Sequence, residues 1–187
     1  MRYIIGFLIG LGLIVLTIVL IFKAFSGGGG EKPQKIDLNS YSTTNTVMRL
    51  TIDGPVNADQ THQRIRVTVG RDKVTFEQIQ GYQGKLTQTK EFDNNADAYA
   101  SFLRALSVAG YTSGKTDPKL KDERGYCPLG SRYVYEALSG SDDILRWWNT
   151  SCGSAYGNFL GKGDTVRSLF KRQVPGYDKL VTGTAPQ

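Results

Sequence analysis

The feature that most constrains this chain is an unbroken apolar stretch from Tyr3 to Phe22, bracketed by Arg2 and Lys23. It contains no charged residue, and fifteen of its twenty residues are Ile, Leu, Val or Phe. A helix of this length rises roughly 30 Å, the thickness of the hydrocarbon core of a bilayer. Because a soluble helix does not need an apolar surface on every side, the stretch predicts a single helix that spans the lipid bilayer.

Two further interpretations of this stretch stay open in the sequence. A cleaved signal peptide would use Arg2 as its basic region and residues 24–26 (Ala-Phe-Ser) as its cleavage site. The apolar run is longer than the roughly 7 to 15 residues usual in signal peptides, which favours an uncleaved anchor. Gly6 and Gly10 form a GxxxG spacing, which allows two membrane helices to approach and would support a homodimer.

Composition after the anchor predicts one tethered domain. The run from Ser26 to Gly30 (SGGGG) has no side chains that can pack, and the chain stays polar for about fifteen residues more. The sequence therefore predicts an anchor at 1–25, a flexible glycine-rich linker at 26–45, a folded domain at 46–182 and a tail at 183–187. About 135 residues suit a single domain with one hydrophobic core.

Charge and residue inventory exclude several functional classes. The formal net charge is +6, but basic residues are interspersed with acidic ones and form no stripe or known motif, so nucleic-acid binding is not predicted. His62 is the only histidine, which leaves no set of histidine ligands for a metal. It lies among polar residues before a strand, and we expect it to face solvent. No cofactor and no catalytic residue are predicted.

Alternating apolar and polar residues predict an antiparallel meander of about four strands. In the first strand Met48, Leu50 and Ile52 fall on one side, which is typical of a strand with one buried face. Glycine-containing turns separate the strands. The predicted bounds are Val47–Asp53, Arg64–Val69, Val74–Gln80 and Lys85–Phe92.

Helical spacing predicts two helices that pack against this sheet. The first is capped by Asp93 or Asn94 and runs to about Ala109, with apolar residues at helical intervals. The second is capped by Asp164 and ends before Pro175. The fold class is therefore α+β.

A second hairpin is predicted between the two helices, from Arg132–Leu138 and Ile144–Ser151. Its turn at Gly140 suits type II′ geometry closed by the neighbouring residues, which places Tyr133 opposite Trp148. A slip of one residue segregates apolar side chains better and places Tyr133 opposite Trp147. Both registers remain open.

Cys127 and Cys152, the only cysteines, flank the open end of this hairpin and predict a disulfide. The bond closes a loop of about 26 residues and contributes about 3.5 kcal/mol in the chain-entropy model. Disulfides form in oxidising compartments, so we expect the domain to lie outside the cytoplasm. Positive charge after the anchor slightly favours the opposite orientation, but a two-residue amino-terminal tail gives little orientation signal.

An aromatic and basic cluster in the hairpin is the predicted binding surface. Adjacent tryptophans must point to opposite faces of a strand, which leaves two arrangements open. Either both are buried, one under each layer, or one is uncovered and can stack on sugars or pack against peptides. The predicted partner is a protein or glycan ligand. The residues of this candidate surface are Arg132, Tyr133, Tyr135, Arg146, Trp147 and Trp148.

These features predict a single-pass, membrane-anchored domain outside the cytoplasm that acts as a binding module of the cell envelope. Two alternatives remain. The apolar amino terminus and the disulfide-closed region resemble a type IV pilin or secretion-apparatus subunit, although Leu11 stands where pilins place glutamate. The second alternative is an envelope hydrolase whose active site is assembled from distant carboxylates.

Overall fold

The computed structural model describes Gly12, Thr17 and residues 36–153 and 156–182. The predicted anchor lies outside the described residues except for Gly12 and Thr17, as do the SGGGG run and the predicted tail. Among the residues that are described, no helix combines the length and apolar character needed to cross a bilayer.

Packed structure begins at Ile36, within the segment predicted as linker. A 3-10 helix at Leu38–Thr43 follows Asp37, whose carboxylate accepts a hydrogen bond from the Asn39 amide. Leu38 is fully buried in the hydrophobic core. The folded region therefore extends about ten residues before the predicted boundary, because this apolar side chain packs with the domain.

Six antiparallel strands form one sheet in the order β4-β3-β2-β1-β5-β6. The four-strand meander is confirmed, and the hairpin β5–β6 continues the same sheet through β5, which pairs with β1. Alternation in the sequence located each meander strand to within one residue at each end. The bounds are β1 Thr46–Asp53, β2 Gln63–Val69, β3 Lys73–Gln80, β4 Lys85–Asp93, β5 Arg132–Ser139 and β6 Asp142–Thr150.

Three α-helices in the described part cover one face of this sheet, which we call the helix face. They are α1 Ala96–Val108, α2 Gly163–Arg172 and α3 Tyr177–Thr182. Both predicted helices are present, and α3 is additional. Buried residues of α1 and α2 join those of β1 to β3 in one hydrophobic core.

The amino-terminal caps of α1 and α2 differ from the predictions. Asn95, rather than Asp93 or Asn94, caps α1 and accepts a hydrogen bond from the Ala98 amide, because β4 continues to Asp93 and the Asn94 side chain donates to the Gly70 carbonyl. Asp164 lies inside the first turn of α2, which begins at Gly163 without a side-chain cap.

Neither predicted register of the β5–β6 hairpin is correct. Ser139 pairs with Asp142 as the turn predicts, but the register shifts between Ala137 and Leu138. Beyond the shift Tyr133 lies opposite Asn149 rather than a tryptophan. The β-bulge inserts one extra residue on β6, which lets apolar residues share the helix face without changing the turn.

The opposite face of the sheet, the outer face, is partly covered by the segment 117–131, which we call the strap. Its Leu120 and Tyr126 pack with Trp148 and Val134 in a second, small apolar cluster. The predicted disulfide between Cys127 and Cys152 is confirmed, and it joins the strap to the residues that follow β6.

Candidate binding groove

The six residues of the predicted binding surface lie on two faces of the sheet. Strand alternation and the observed register place three on each face, so they do not form one continuous surface. Trp148 and Tyr135 are fully buried, and Arg132 is 3% exposed. The helix face carries Tyr133, Tyr135 and Trp147, and the outer face carries Arg132, Arg146 and Trp148.

The two predicted arginines on the outer face pair with acidic residues of the protein itself. Arg132 lies 2.8 Å from a carboxylate oxygen of Asp53. Arg146 lies 2.5 Å from Glu123 of the strap and 3.6 Å from Glu136. Burial raises the pKa of the Glu136 carboxyl, and the charge of Arg146 opposes the rise. Arg132 therefore joins β5 to the end of β1, and Arg146 joins β6 to the strap.

His62 is buried, which corrects the expectation that it faces solvent. Its Nδ1 lies 3.0 Å from the Pro55 carbonyl and its Nε2 lies 2.9 Å from Asp53. Its ring stacks on Tyr82 with the ring centroids 4.2 Å apart. The side chain is 1% exposed because the loop between β1 and β2 folds over it. His62 therefore holds this loop in place at a distance from the helix face.

On the helix face, a hollow of about 580 Å³ lies between the end of β6 and the start of α2. Backbone of the glycine-rich segment after β6 forms one wall, and the first turn of α2 forms another. A Cβ at Gly163 would lie 2.7 Å from the side-chain amide nitrogen of Asn149, which shows how close α2 starts to the side chains of β6. Tyr133 and Arg167 line the same hollow.

Arg167 is the central side chain of this hollow, and several contacts hold it in place. Its guanidinium carbon lies 4.0 Å above the centroid of the Tyr133 ring, within the range of a cation–π interaction. Its Nη1 donates to the Tyr135 hydroxyl at 3.1 Å, and its Nη2 pairs with Asp164. The Tyr135 hydroxyl in turn donates to the side-chain oxygen of Asn149 at 3.1 Å.

The buried phenol of Tyr135 stays neutral at physiological pH. Burial raises its pKa to about 12, although the charge of Arg167 opposes the rise. A neutral phenol accepts from Arg167 without cancelling its charge. Tyr135 therefore does not neutralise Arg167, whose acidic partner among the described residues is the exposed carboxylate of Asp164.

Two more hollows continue from Tyr133 and Arg167 along α2. The first, of about 300 Å³, has Ile52 and Ile65 of the sheet in its lining and extends to Lys171. The second, of about 400 Å³, shares Lys171 with it and reaches the loop before α3. Neighbouring hollows share lining residues, and we call the three together the α2 groove.

The α2 groove is basic. Four basic and two acidic side chains line its three hollows. The hollow shared by Arg167 and Lys171 also has apolar side chains of the sheet in its lining. The arrangement suits a ligand with negative charges and some apolar surface. The charged residues are Asp164, Arg167, Lys171, Arg172, Asp178 and Lys179.

Tyr133 is among the binding residues predicted from the sequence, whereas Arg167 and Lys171 are not. Their spacing of four residues on a predicted helix places them on one side of it, which was an available signal. That signal does not show which tyrosine rings lie beneath them. Only the packing of α2 on β5 brings Arg167 over Tyr133.

The groove is assembled from parts of the chain more than thirty residues apart, and its charged residues belong mainly to α2 and α3. Within the described ranges, no group of three or more His, Cys, Asp or Glu residues is arranged to hold a metal ion. Comparison of the chain with protein-family models and with curated protein sequences found no match.

Proposed function

We propose that the protein is a single-pass, membrane-anchored binding module that works outside the cytoplasm, in the cell envelope, and binds its ligand in the α2 groove. The observation that carries the binding role is Arg167, held over Tyr133 in a basic groove. A cation fixed before the ligand arrives loses little conformational entropy on binding.

Two features support the location in this proposal. The uncharged stretch from Tyr3 to Phe22 has the length of a membrane span. The bond between Cys127 and Cys152 is of a kind that persists in oxidising compartments. Together they favour an anchored domain that faces an oxidising space.

Protease treatment of intact cells tests the location. We expect added protease to digest the domain while a cytoplasmic marker survives, and we expect the two cysteines to resist alkylation unless a reductant is present. A domain protected in intact cells, or two freely alkylated thiols, would contradict the proposed location.

Site-directed photo-crosslinking in cells tests the binding role. A benzophenone amino acid replacing Leu160, which lines the groove and is 63% exposed, should form a discrete crosslinked product. The matched control replaces Val108, which is 82% exposed on α1 and lines none of the three hollows. The product should disappear with Arg167→Gln, and equal products from both positions would count against the groove as the binding site.

A further inference from the structure

We propose that the α2 groove binds an extended acidic peptide segment, whose carboxylates two residues apart pair with Arg167 and Lys171. This inference rests on the proposed binding role of the groove and specifies its ligand. It follows from the placement of the two cations, from the lining between them and from the position of Asp164.

Arg167 and Lys171 are both held over tyrosine rings. The guanidinium carbon of Arg167 lies 4.0 Å from the Tyr133 centroid, and Nζ of Lys171 lies 5.2 Å from the Tyr177 centroid. A charge positioned over an aromatic face is restrained but keeps donors for another partner. The two cations thus form a pair of fixed positive positions along one side of α2.

Their spacing matches the repeat of an extended peptide. Four residues of an α-helix rise about 6 Å along the axis. Residues i and i+2 of an extended strand are about 6.6 Å apart and point to the same side. A peptide that lies along α2 with acidic residues at alternate positions therefore presents one carboxylate to each cation.

The lining between the two cations favours a peptide over an anionic polymer. Ile52 and Ile65 of the sheet line the hollow that Arg167 and Lys171 share. Methylene groups of acidic side chains gain free energy by covering such apolar surface. The carbons of a poly(glycerol phosphate) all carry oxygen atoms, so this polymer gains less from the apolar surface. The mixed lining therefore fits an acidic peptide.

Asp164 already occupies the position expected for a ligand carboxylate. Its carboxylate pairs with Arg167 from the first turn of α2, although its side chain is 98% exposed. Such an exposed pair adds little stability, so a ligand carboxylate can replace it. Asp164 therefore competes with the ligand, and its removal should strengthen binding.

The test measures binding of a fluorescein-labelled pentapeptide to the full-length protein in nanodiscs by fluorescence anisotropy. The peptide carries glutamates at its second and fourth positions, and control peptides carry glutamines there or glutamates at the second and third positions. We expect the alternating peptide to bind at least about fivefold more tightly than either control, the factor expected for one lost charge pair.

Variants of the protein assign this binding to the two cations. Lys171→Gln should weaken it about fivefold, Arg167→Gln somewhat more, and Asp164→Asn should strengthen it about threefold. The matched control combines Arg104→Gln with Lys90→Gln, which removes two exposed charges outside the three hollows and should leave affinity unchanged. If Arg167→Gln disturbs folding, the weaker peptide binding expected of Lys171→Gln still tests whether the α2 groove is the binding site.

Three outcomes would overturn the proposal. They are equal binding of all three peptides, weaker binding after Asp164→Asn, and preferential binding of a soluble poly(glycerol phosphate) over the alternating peptide. If the peptide fails while the crosslink from Leu160 persists in cells, the groove binds a ligand of another class and the proposed function stands. If both fail, the proposed function fails as well.

Discussion

Trp147 and Trp148 are neighbours in the chain, and their indole groups have different surroundings. Trp148 is fully buried on the outer face, and its indole N–H donates to the Leu120 carbonyl at 2.7 Å. Trp147 is half-buried on the helix face, and its indole N–H has no acceptor among the described residues. Only one of the two therefore ties the strap to the sheet.

Replacing each tryptophan by phenylalanine should separate these two roles. Trp148→Phe should lower the free energy of unfolding by about 2 kcal/mol more than Trp147→Phe, because it removes a buried hydrogen bond as well as ring volume. Urea denaturation measures the difference. Equal losses for the two variants would contradict the assigned role of the Trp148 hydrogen bond.

Asp53 is the shared acidic partner of two buried side chains. The side chains of His62 and Arg132 are buried, and each lies within 3 Å of the Asp53 carboxylate. Asp53→Ala should lower the free energy of unfolding by about 3 kcal/mol, because it leaves the Arg132 charge buried without its partner. Chemical denaturation measures the loss.

The exposed pair of Lys73 and Glu91 provides the control for Asp53→Ala. Its side chains are 63% and 54% exposed and lie 2.8 Å apart. Glu91→Ala should leave the free energy of unfolding almost unchanged, because an exposed ion pair gains little over hydration. A loss as large as that of Asp53→Ala would contradict the distinction between buried and exposed pairs.

At the scale of elements, the position of α2 depends on a close approach of two backbone segments. A Cβ at Gly161 would lie 2.3 Å from the carbonyl oxygen of Gly110, just after α1. The next amide, of Lys162, donates to the Ala109 carbonyl at 2.9 Å. Glycine at this contact lets α2 start close against the end of α1, which places Arg167 beside β5.

Loss of the disulfide should both destabilise the protein and loosen the strap from the sheet. Changing both Cys127 and Cys152 to serine should lower the free energy of unfolding by about 2 to 4 kcal/mol, because the closed loop no longer restricts the unfolded chain. In a Trp147→Phe background Trp148 is the sole tryptophan, and its emission should shift to longer wavelength as the strap loosens. Denaturant titration followed by fluorescence measures both effects.

Unchanged stability and unchanged emission in this cysteine variant would show that packing of Leu120 and Tyr126 holds the strap without the disulfide. Reduction of the unmodified protein provides an independent comparison. It should reproduce the effect of the serine substitutions, because the same covalent constraint is lost.

For the whole molecule, four buried tyrosines predict a loss of stability at alkaline pH. Burial raises the pKa of Tyr99, Tyr135 and Tyr177 to about 12 and that of Tyr111 well above its usual value. In the unfolded chain the tyrosine phenols ionise near pH 10, which is below the pH at which the four buried phenols ionise in the folded protein. Their contribution to stability is therefore constant below about pH 10 and is lost as pH rises towards 12.

Urea denaturation at pH 8, 10 and 11, together with phenolate absorbance, measures this effect. We expect the free energy of unfolding to fall above pH 10, and we expect four of the ten tyrosines to ionise only when the protein unfolds. Tyr177→Phe should reduce the pH dependence, since it removes one of the buried phenols. Ionisation of all ten in the folded protein near pH 10 would contradict the prediction.

Local periodicity was enough to predict several features of this protein from its residues alone. The strands β1 to β4, the helix α1 and the disulfide were predicted because strand alternation, helical spacing and hairpin geometry relate residues that are near in sequence. The opposite facing of Trp147 and Trp148 follows from the same alternation. The predicted anchor and linker rest on the sequence alone.

The way in which the elements fit together depends on packing between distant parts of the chain. The β-bulge in β6 set the hairpin register, the strap determined which tryptophan is covered, and packing around Asp53 buried His62. Arg167 reaches Tyr133 only because α2 packs on a strand more than thirty residues earlier in the chain. The candidate site could not be predicted as a whole, because it depends on contacts between distant segments, and local sequence patterns do not predict such contacts.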